Sequence, residues 1–314
     1  MTDTKKIWLS HLAVLVVLFA AQYILPQYHT TNLARIMVMA VYAMGYNIAF
    51  GYTGLLSLGH ALFFALGMYG MGLPIWQLEW LPVPAVILGL IAGGVGAGAV
   101  GILALRTTGV SFMIVTLMFA QAGYLTLLYL NTWTGGDEGF VVERAYRMIA
   151  GIDLAADGPR FMVALGLYGA GMALCIWLVR SPFGRVMVAM RENEERSRML
   201  GYDPFRIKLM ALVISGFYAG LAGAAYGMLF GYVGATFATI QYSILPMLYV
   251  LMGGAGTVLG PLLGASLMFY LIDIASGFTD AWLFFVGASL VALILFAPKG
   301  ILGTIRERGI KWLP

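Results

Sequence analysis

Four short stretches carry the residues whose types and spacing could do chemistry. The first, GYTGLLSLGH at 51–60, sets Gly51, Gly54, Ser57, Gly59 and His60 between two apolar runs. The second, GGAGTVLGP at 253–261, repeats closely spaced glycines at Gly253, Gly254 and Gly256, and its Pro261 forbids one normal helix bond. Glycines in an apolar helix allow two readings. Either they let helix backbones approach closely, or the chain breaks there and turns backbone donors and acceptors toward a water-filled cavity. On the second reading the two stretches line or hinge a path for a polar solute and face each other as halves of a weak internal repeat. His60 reads either as a satisfied packing group or as a pathway and proton-coupling residue. The third stretch, RENEERSRMLG at 191–201, mixes both charges in Arg191, Glu192, Glu194 and Glu195 and closes on Gly201. Its composition suits docking rather than catalysis. The fourth, Thr134, Gly135, Gly136 and Asp137, opens a polar, turn-rich segment that reads as a surface for a soluble partner or as a solvated closing loop.

The chemistry that is missing is equally informative. No Gly-x-x-x-x-Gly-Lys-Ser/Thr phosphate loop, His-Glu-x-x-His or Gly-x-Ser-x-Gly occurs in the sequence. The chain is therefore read as no enzyme and as carrying no cofactor of its own. Ion-driven carriers place ionisable groups within the membrane, and here the apolar core offers little beyond His60 and Asp273. At a helix centre Asp273 would cost about 2.5–3.5 kcal/mol, and its place near the end of an apolar run points to an interface instead. Any work done on a solute must come from outside the chain.

These stretches are positioned by apolar helices. Of 314 residues, 61% are hydrophobic and 10% are charged, too apolar for a soluble core of this size. Runs of about 20 apolar residues predict an all-α, polytopic transmembrane helical bundle forming a single domain over 1–314. Crossings are predicted at 7–25, 33–50, 55–74, 82–105, 108–130, 160–179, 207–231, 236–253, 257–275 and 280–297. Breaks or re-entrant helices near 51–70 and 253–265 would reduce these ten to eight. The single cysteine, Cys175, excludes an intramolecular disulfide. Lys5 and Lys6 ahead of Ile7–Leu25 suggest a secretory signal, but the apolar run is long and no clear Ala-x-Ala site follows, so a retained first crossing is expected.

Charge gives an orientation. Ten crossings with a cytoplasmic N-terminus return the C-terminus to the same side. Fourteen of the 18 basic residues then face inward, from Lys5 and Lys6 through the 180–208 segment to Arg306, Arg308 and Lys311. Only Arg35, Arg144, Arg147 and Arg160 lie elsewhere, and acids including Glu79, Asp137, Asp153 and Asp280 gather in outer loops. The net charge of +4 is thereby explained by loops in contact with membrane lipid, without a nucleic-acid partner.

Two loops are long for a compact bundle. The outer one, 131–159, continues from NTWTGGDEGF into VVERAYRMIAG, which predicts a short amphipathic surface helix. The inner one, 180–206, predicts one helix of about five turns. It starts at Ser181-Pro182, stops at Gly201 and is followed by an Asp203-Pro204 turn. Val186, Met187, Met190, Met199 and Leu200 form its apolar side. A charged helix too polar to span, offering apolar knobs, suits the groove of a cytoplasmic protein better than anionic headgroups.

RENEERSRMLG resembles the cytoplasmic coupling loop of ABC importer permeases. On that pattern, Glu195 matches the Glu of Glu-Ala-Ala and Gly201 the glycine six residues later, while Arg196 and Ser197 replace the alanines. The larger resemblance is to LivM-type branched-chain amino-acid permeases. It rests on residues 51–70, TGGDEGF, SPFGRVMVAMRENE, GFYAGLAGAAYG and GGAGTVLGPLLGA in order, from about residue 32 to 303. The resemblance implies a permease subunit in the bacterial inner membrane that forms its path with a second, related permease. It further implies two cytoplasmic ATPases that bind the ATP, and a periplasmic or lipid-anchored substrate-binding protein. Branched-chain amino acids head the expected substrates; urea, short amides and aromatic acids follow. The rival expectation is an ion-coupled carrier or channel acting alone.

Overall fold

A computed structural model describes residues 3–308 except 150, 280 and 298; Lys311, Asp280 and the side chain of Arg308, used above to orient the chain, lie outside what is described. The fourteen helices are α1 Asp3–Ile24, α2 Gln27–Asn47, α3 His60–Leu78, α4 Pro82–Ala104, α5 Val110–Tyr129, α6 Asn131–Thr134 and α7 Asp157–Arg180. They continue with α8 Pro182–Glu192, α9 Glu194–Met199, α10 Pro204–Phe230, α11 Ile240–Gly253, α12 Gly260–Phe278, α13 Trp282–Phe296 and α14 Gly300–Arg308. The expected all-α bundle is what forms. Among the described residues eight helices are long and apolar enough to cross a membrane, with α2 extended to Tyr52 by a π-helical turn. The other two expected crossings fall on α11 and α13, which have 14 and 15 residues. At 1.5 Å per residue each reaches only about 21–23 Å, short of the ~30 Å hydrocarbon layer.

The helices pack through small residues. An ideal Cβ on Gly67 of α3 would lie 2.1 Å from the Gly220 carbonyl oxygen of α10, and one on Gly216 would lie 2.2 Å from the Ala97 Cβ of α4. Lipid tails provide no hydrophobic drive between helices, so close backbone contact supplies the dispersion energy that holds α3, α4 and α10 together. Here the bland reading of the glycines holds. Helix α2 is central, with Ile36, Met37, Tyr42, Met44 and Tyr46 fully enclosed. By contrast α1, α5 and α13 expose large apolar side chains such as Val17, Met118 and Phe284, as lipid-facing helices must.

Among the described residues, the strands gather at the end of the bundle that carries the 131–159 loop. β1 (Phe140–Val141) pairs antiparallel with β4 (Tyr232–Val233), and β2 (Met148–Ile149) with β3 (Ile152–Asp153). Of the amphipathic helix predicted over VVERAYRMIAG, only a single 3-10 turn, Arg144–Arg147, forms among the described residues. Pairing with β4 satisfies the backbone at 140–141, and the buried Arg147 donates to the Met228 and Leu229 carbonyls at the end of α10. A guanidinium closing a helix C-terminus satisfies orphan carbonyls and complements the dipole. Arg144 ion-pairs with Asp153 at 2.6 Å, and this holds the Asp153 carboxyl below the usual carboxylate range, helped by the Ala155 N–H.

Candidate functional site

The first glycine stretch is a true helix break. The π-helical turn Ile48–Tyr52 widens the end of α2, Thr53 Oγ1 donates to the Ile48 carbonyl at 2.9 Å, and Gly54 at φ +78° turns the chain back into the bundle. Residues 53–59 climb without helical structure to α3, whose first turn begins inside the bundle rather than at its end. Buried hydroxyls replace the missing helix bonds. Thr116 Oγ1 accepts from the Leu58 N–H at 3.1 Å, Ser57 Oγ from the Gly59 N–H at 3.2 Å, and Ser243 Oγ from the Ala61 N–H at 3.0 Å. His60 is fully enclosed, its Nε2 2.7 Å from Ser215 Oγ and its ring against Tyr46 and Phe63. The ring is packed on two sides and its Nδ1 is buried without a hydrogen-bond partner. Ser57, Gly59 and His60 border none of the three cavities described below.

The second break lies directly against the first. Gly254 at φ +126° and Gly256 at φ +76° carry the chain from α11 to α12 in conformations that side chains rarely adopt. Asn47 of α2 joins the breaks with both ends of its amide. Its Oδ1 accepts from the Gly256 N–H and its Nδ2 donates to the Thr257 carbonyl, each at 2.9 Å. A Cβ on Gly51 would sit 2.6 Å from the Gly256 nitrogen. Gly253 is pressed against Gly260, and Gly254 against Gly300 and Gly303 of α14. The two glycine stretches thus meet, and an asparagine supplies the buried hydrogen bonds their backbones need.

The inner loop reaches this junction. It forms two helices where one was predicted, because Asn193 is extended (φ −157°, ψ 104°) and its side chain caps α9 by accepting from the Arg196 N–H at 2.8 Å. The start at Ser181, which accepts from the Gly184 N–H, and the stop at Gly201 with φ +89° are where the sequence placed them. Met187 and Met190 bury against the bundle, but Met199 and Leu200 project outward, 81% and 71% exposed. The expected single apolar side is therefore two: one holds α8 to the bundle and the other is open. Arg191 turns inward and donates to the Gly51 carbonyl. Ideal Cβ atoms on Gly54 and Gly256 would both lie 3.2 Å from its side chain. Arg306 of α14 donates to the Gly256 carbonyl at 3.1 Å, so two guanidinium groups grip the two breaks from below. Glu194 pairs with Lys208 at 2.6 Å and Arg198 at 3.8 Å. Glu192, Glu195 and Gly201 are exposed on this loop. Cavities of about 960 and 990 Å³ flank the junction; Gly54 and Arg191 border one, and Gly51, Gly256, Glu192 and Arg306 the other.

At the outer end Thr134 and Gly136 are buried. Thr134 Oγ1 donates to the Leu127 carbonyl at a helix end and accepts from the Gly136 N–H, while Asp137 is exposed and Gly135 half-buried. Sequence reading passed over Asn47, Ser215 and Ser243, and used Arg306 only to orient the chain. Polar residues within apolar helices were the available signal for Asn47 and Ser215. A further cavity of about 280 Å³ between α2, α10, α11 and α12 is bordered by both Arg35 and Asp273.

The family described as "Branched-chain amino acid transport system / permease component" matches residues 29–295. The chain is 28% identical to the high-affinity branched-chain amino acid transport system permease protein LivM of Escherichia coli, over 95% of this chain and 75% of that one. It is 22% identical to the corresponding LivH protein of Salmonella typhimurium, over 84% of this chain and 91% of that one. A shorter match, 32% identical over 40% of each chain, is to the autoinducer 2 import system permease protein LsrC of Photorhabdus laumondii. No solved structure matches this chain.

Proposed function

Because this multi-pass membrane protein belongs to the permease-component family of branched-chain amino acid transport systems, we propose that it is one permease subunit of an ATP-driven importer for those amino acids. It forms the translocation path with a second, related permease; two cytoplasmic ATPases and a soluble substrate-binding protein complete the assembly. The similarity to both LivM and LivH proteins supports such a pair. The chain sits in the inner membrane with both termini and the 180–206 loop cytoplasmic, as its charge distribution suggests.

One observation carries the mechanism: Arg191 belongs to the surface helix α8 and donates directly to the Gly51 carbonyl at the junction of both helix breaks. An ATPase groove that accepts Met199 and Leu200 moves α9, then α8, and Arg191 passes that motion to Gly51 and, through Asn47, to Gly256. Exposed Glu192 and Glu195 rim the docking surface. The exposed carboxylate of Asp137 is offered to the binding protein on the opposite face.

Proteoliposomes test this directly. With both permeases, the ATPases, loaded binding protein and ATP present, leucine accumulates, and Glu195→Arg abolishes substrate-stimulated ATP hydrolysis. Leucine uptake driven by an ion gradient with this chain alone would reverse the assignment in favour of a secondary carrier. Modification of a cysteine placed at Glu195 by a bilayer-impermeant reagent added outside intact cells would overturn the orientation.

A further inference from the structure

We propose that the cavity between α2, α10, α11 and α12 is a binding site for the zwitterionic head of an α-amino acid, with Arg35 taking the carboxylate and Asp273 the ammonium. The inference rests on the proposed substrate class and adds where, in this chain, that substrate is held. Arg35 stands a little over two turns from the start of α2, Asp273 near the end of α12, and both border one cavity of about 280 Å³. Opposite charges this far apart in sequence are brought to one small space, and yet they form no ion pair with each other.

Each is prepared for a partner. The Arg35 guanidinium lies 5.2 Å over the Phe230 ring, which steadies it without neutralising it, and its Nε is buried with no hydrogen-bond partner. No carboxylate among the described residues pairs with it. A charge kept in an apolar helix without a counter-charge is costly, and a planar fork of donors fits a carboxylate in two-point contact. Asp273 is oriented by Tyr28, whose hydroxyl donates to Oδ2 at 2.6 Å, leaving Oδ1 for an ammonium donor. Leu245, Phe269 and Ile272 give the remaining walls apolar surface, beside Tyr226, Tyr242, Tyr249 and Ser276. Cavities for larger organic ligands run from about 300 to 1,000 Å³, so this volume fits a free amino acid with a compact apolar side chain, not a peptide. Neutral polar solutes such as urea would leave both charges unmatched, which disfavours them here.

The test uses the whole transporter in membrane vesicles, with a diazirine analogue of leucine as the probe and leucine uptake measured in parallel. The expected result is that light attaches the analogue to wild-type peptides from α11 and α12. Excess leucine blocks the labelling, whereas 4-methylpentanoate, lacking the ammonium, and 3-methylbutylamine, lacking the carboxylate, compete at least tenfold less well. Arg35→Gln and Asp273→Asn each reduce labelling and uptake at least tenfold at matched membrane levels. Arg35→Lys, which keeps the charge and loses the fork, retains an intermediate level, and Tyr28→Phe weakens labelling severalfold. Leucine transport by the wild type with labelling absent from α11 and α12, or variants within twofold of wild type, overturns the site and leaves the proposed function standing. Wild-type labelling at the cavity without any chain-dependent leucine uptake supports the site and overturns the importer assignment.

Discussion

The contact between Arg191 and the Gly51 carbonyl can be removed with little else disturbed. Arg191→Met keeps an unbranched apolar stem against Gly54 and deletes the donors that reach the break. A hydrogen bond from a charged donor contributes about 1.5–3 kcal/mol, and because Arg191 is solvent-exposed overall the lower value applies, about 1.5 kcal/mol. If that contact carries the coupling, its loss lowers the coupling free energy by the same amount, and ~1.4 kcal/mol is a factor of ten. The expected outcome is a tenfold fall in the ATP hydrolysis stimulated by loaded binding protein, with leucine uptake falling in step. Basal hydrolysis and the folded fraction by size-exclusion chromatography should stay within twofold of wild type. Arg191→Lys, with charge but no fork, should lie between. Stimulation preserved in Arg191→Met would refute the reasoning, and an equal fall in basal hydrolysis would show that the residue merely holds the subunits together.

Three further outcomes follow from the packing. Gly67→Val forces a side chain into the Gly220 backbone, so it should destabilise by about 1–3 kcal/mol or more and lower the midpoint of thermal unfolding in detergent. Asn47→Leu leaves the Gly256 N–H and Thr257 carbonyl buried without partners, a cost of about 1–3 kcal/mol per group; Asn47→Asp, which keeps the acceptor, should lose less folded protein on heating. Asp153, held below its ordinary range by Arg144, adds stability to the outer hairpin above the unfolded carboxylate value, and that stability is lost as pH falls through the lowered folded value. Hydrogen-exchange protection at 148–153, corrected for intrinsic rates, should be flat from neutral pH to about 5 and fall only below the unfolded carboxylate pKa of about 4.

Local physics explains which features were legible. The long spans, the Ser181-Pro182 start, the Gly201 stop and the Asp203-Pro204 turn each depend on a few neighbouring residues, so hydropathy and turn rules find them. The two glycine stretches could be recognised as breaks because no other residue tolerates φ +78° at Gly54 or +126° at Gly254 so readily. Nonlocal pairings were out of reach. VVERAYRMIAG has helical amphipathicity, but its neighbour Phe140–Val141 pairs with strand 232–233, and Arg147 reaches α10. Asn193 sits inside a charged run that continues the helical pattern, and only its extended backbone reveals the cap. Asn47 drew no reading because the backbone it holds, at Gly256 and Thr257, comes more than 200 residues later.

The distribution of contacts also bears on where such a protein can move. The α3–α4–α10 seam consists of backbone pressed on backbone, an arrangement with many small dispersion terms and no alternative register. The junction at Gly51 and Gly256 is different: its backbone groups are held by three side chains, Asn47, Arg191 and Arg306, of which two come from surface helices beside cavities of about 960–990 Å³. Polar contacts next to water can exchange for water at small net cost, whereas opening the seam forfeits its packing outright. Displacing α8 therefore releases the junction before it strains the seam. The chain on either side of the breaks can then turn as two bodies, α3, α4 and α10 on one side and α11, α12 and α14 on the other. On this account the glycines do not make the bundle soft. They would confine its softness to one place, and the cytoplasmic partner proposed for α9 would reach that place through Arg191.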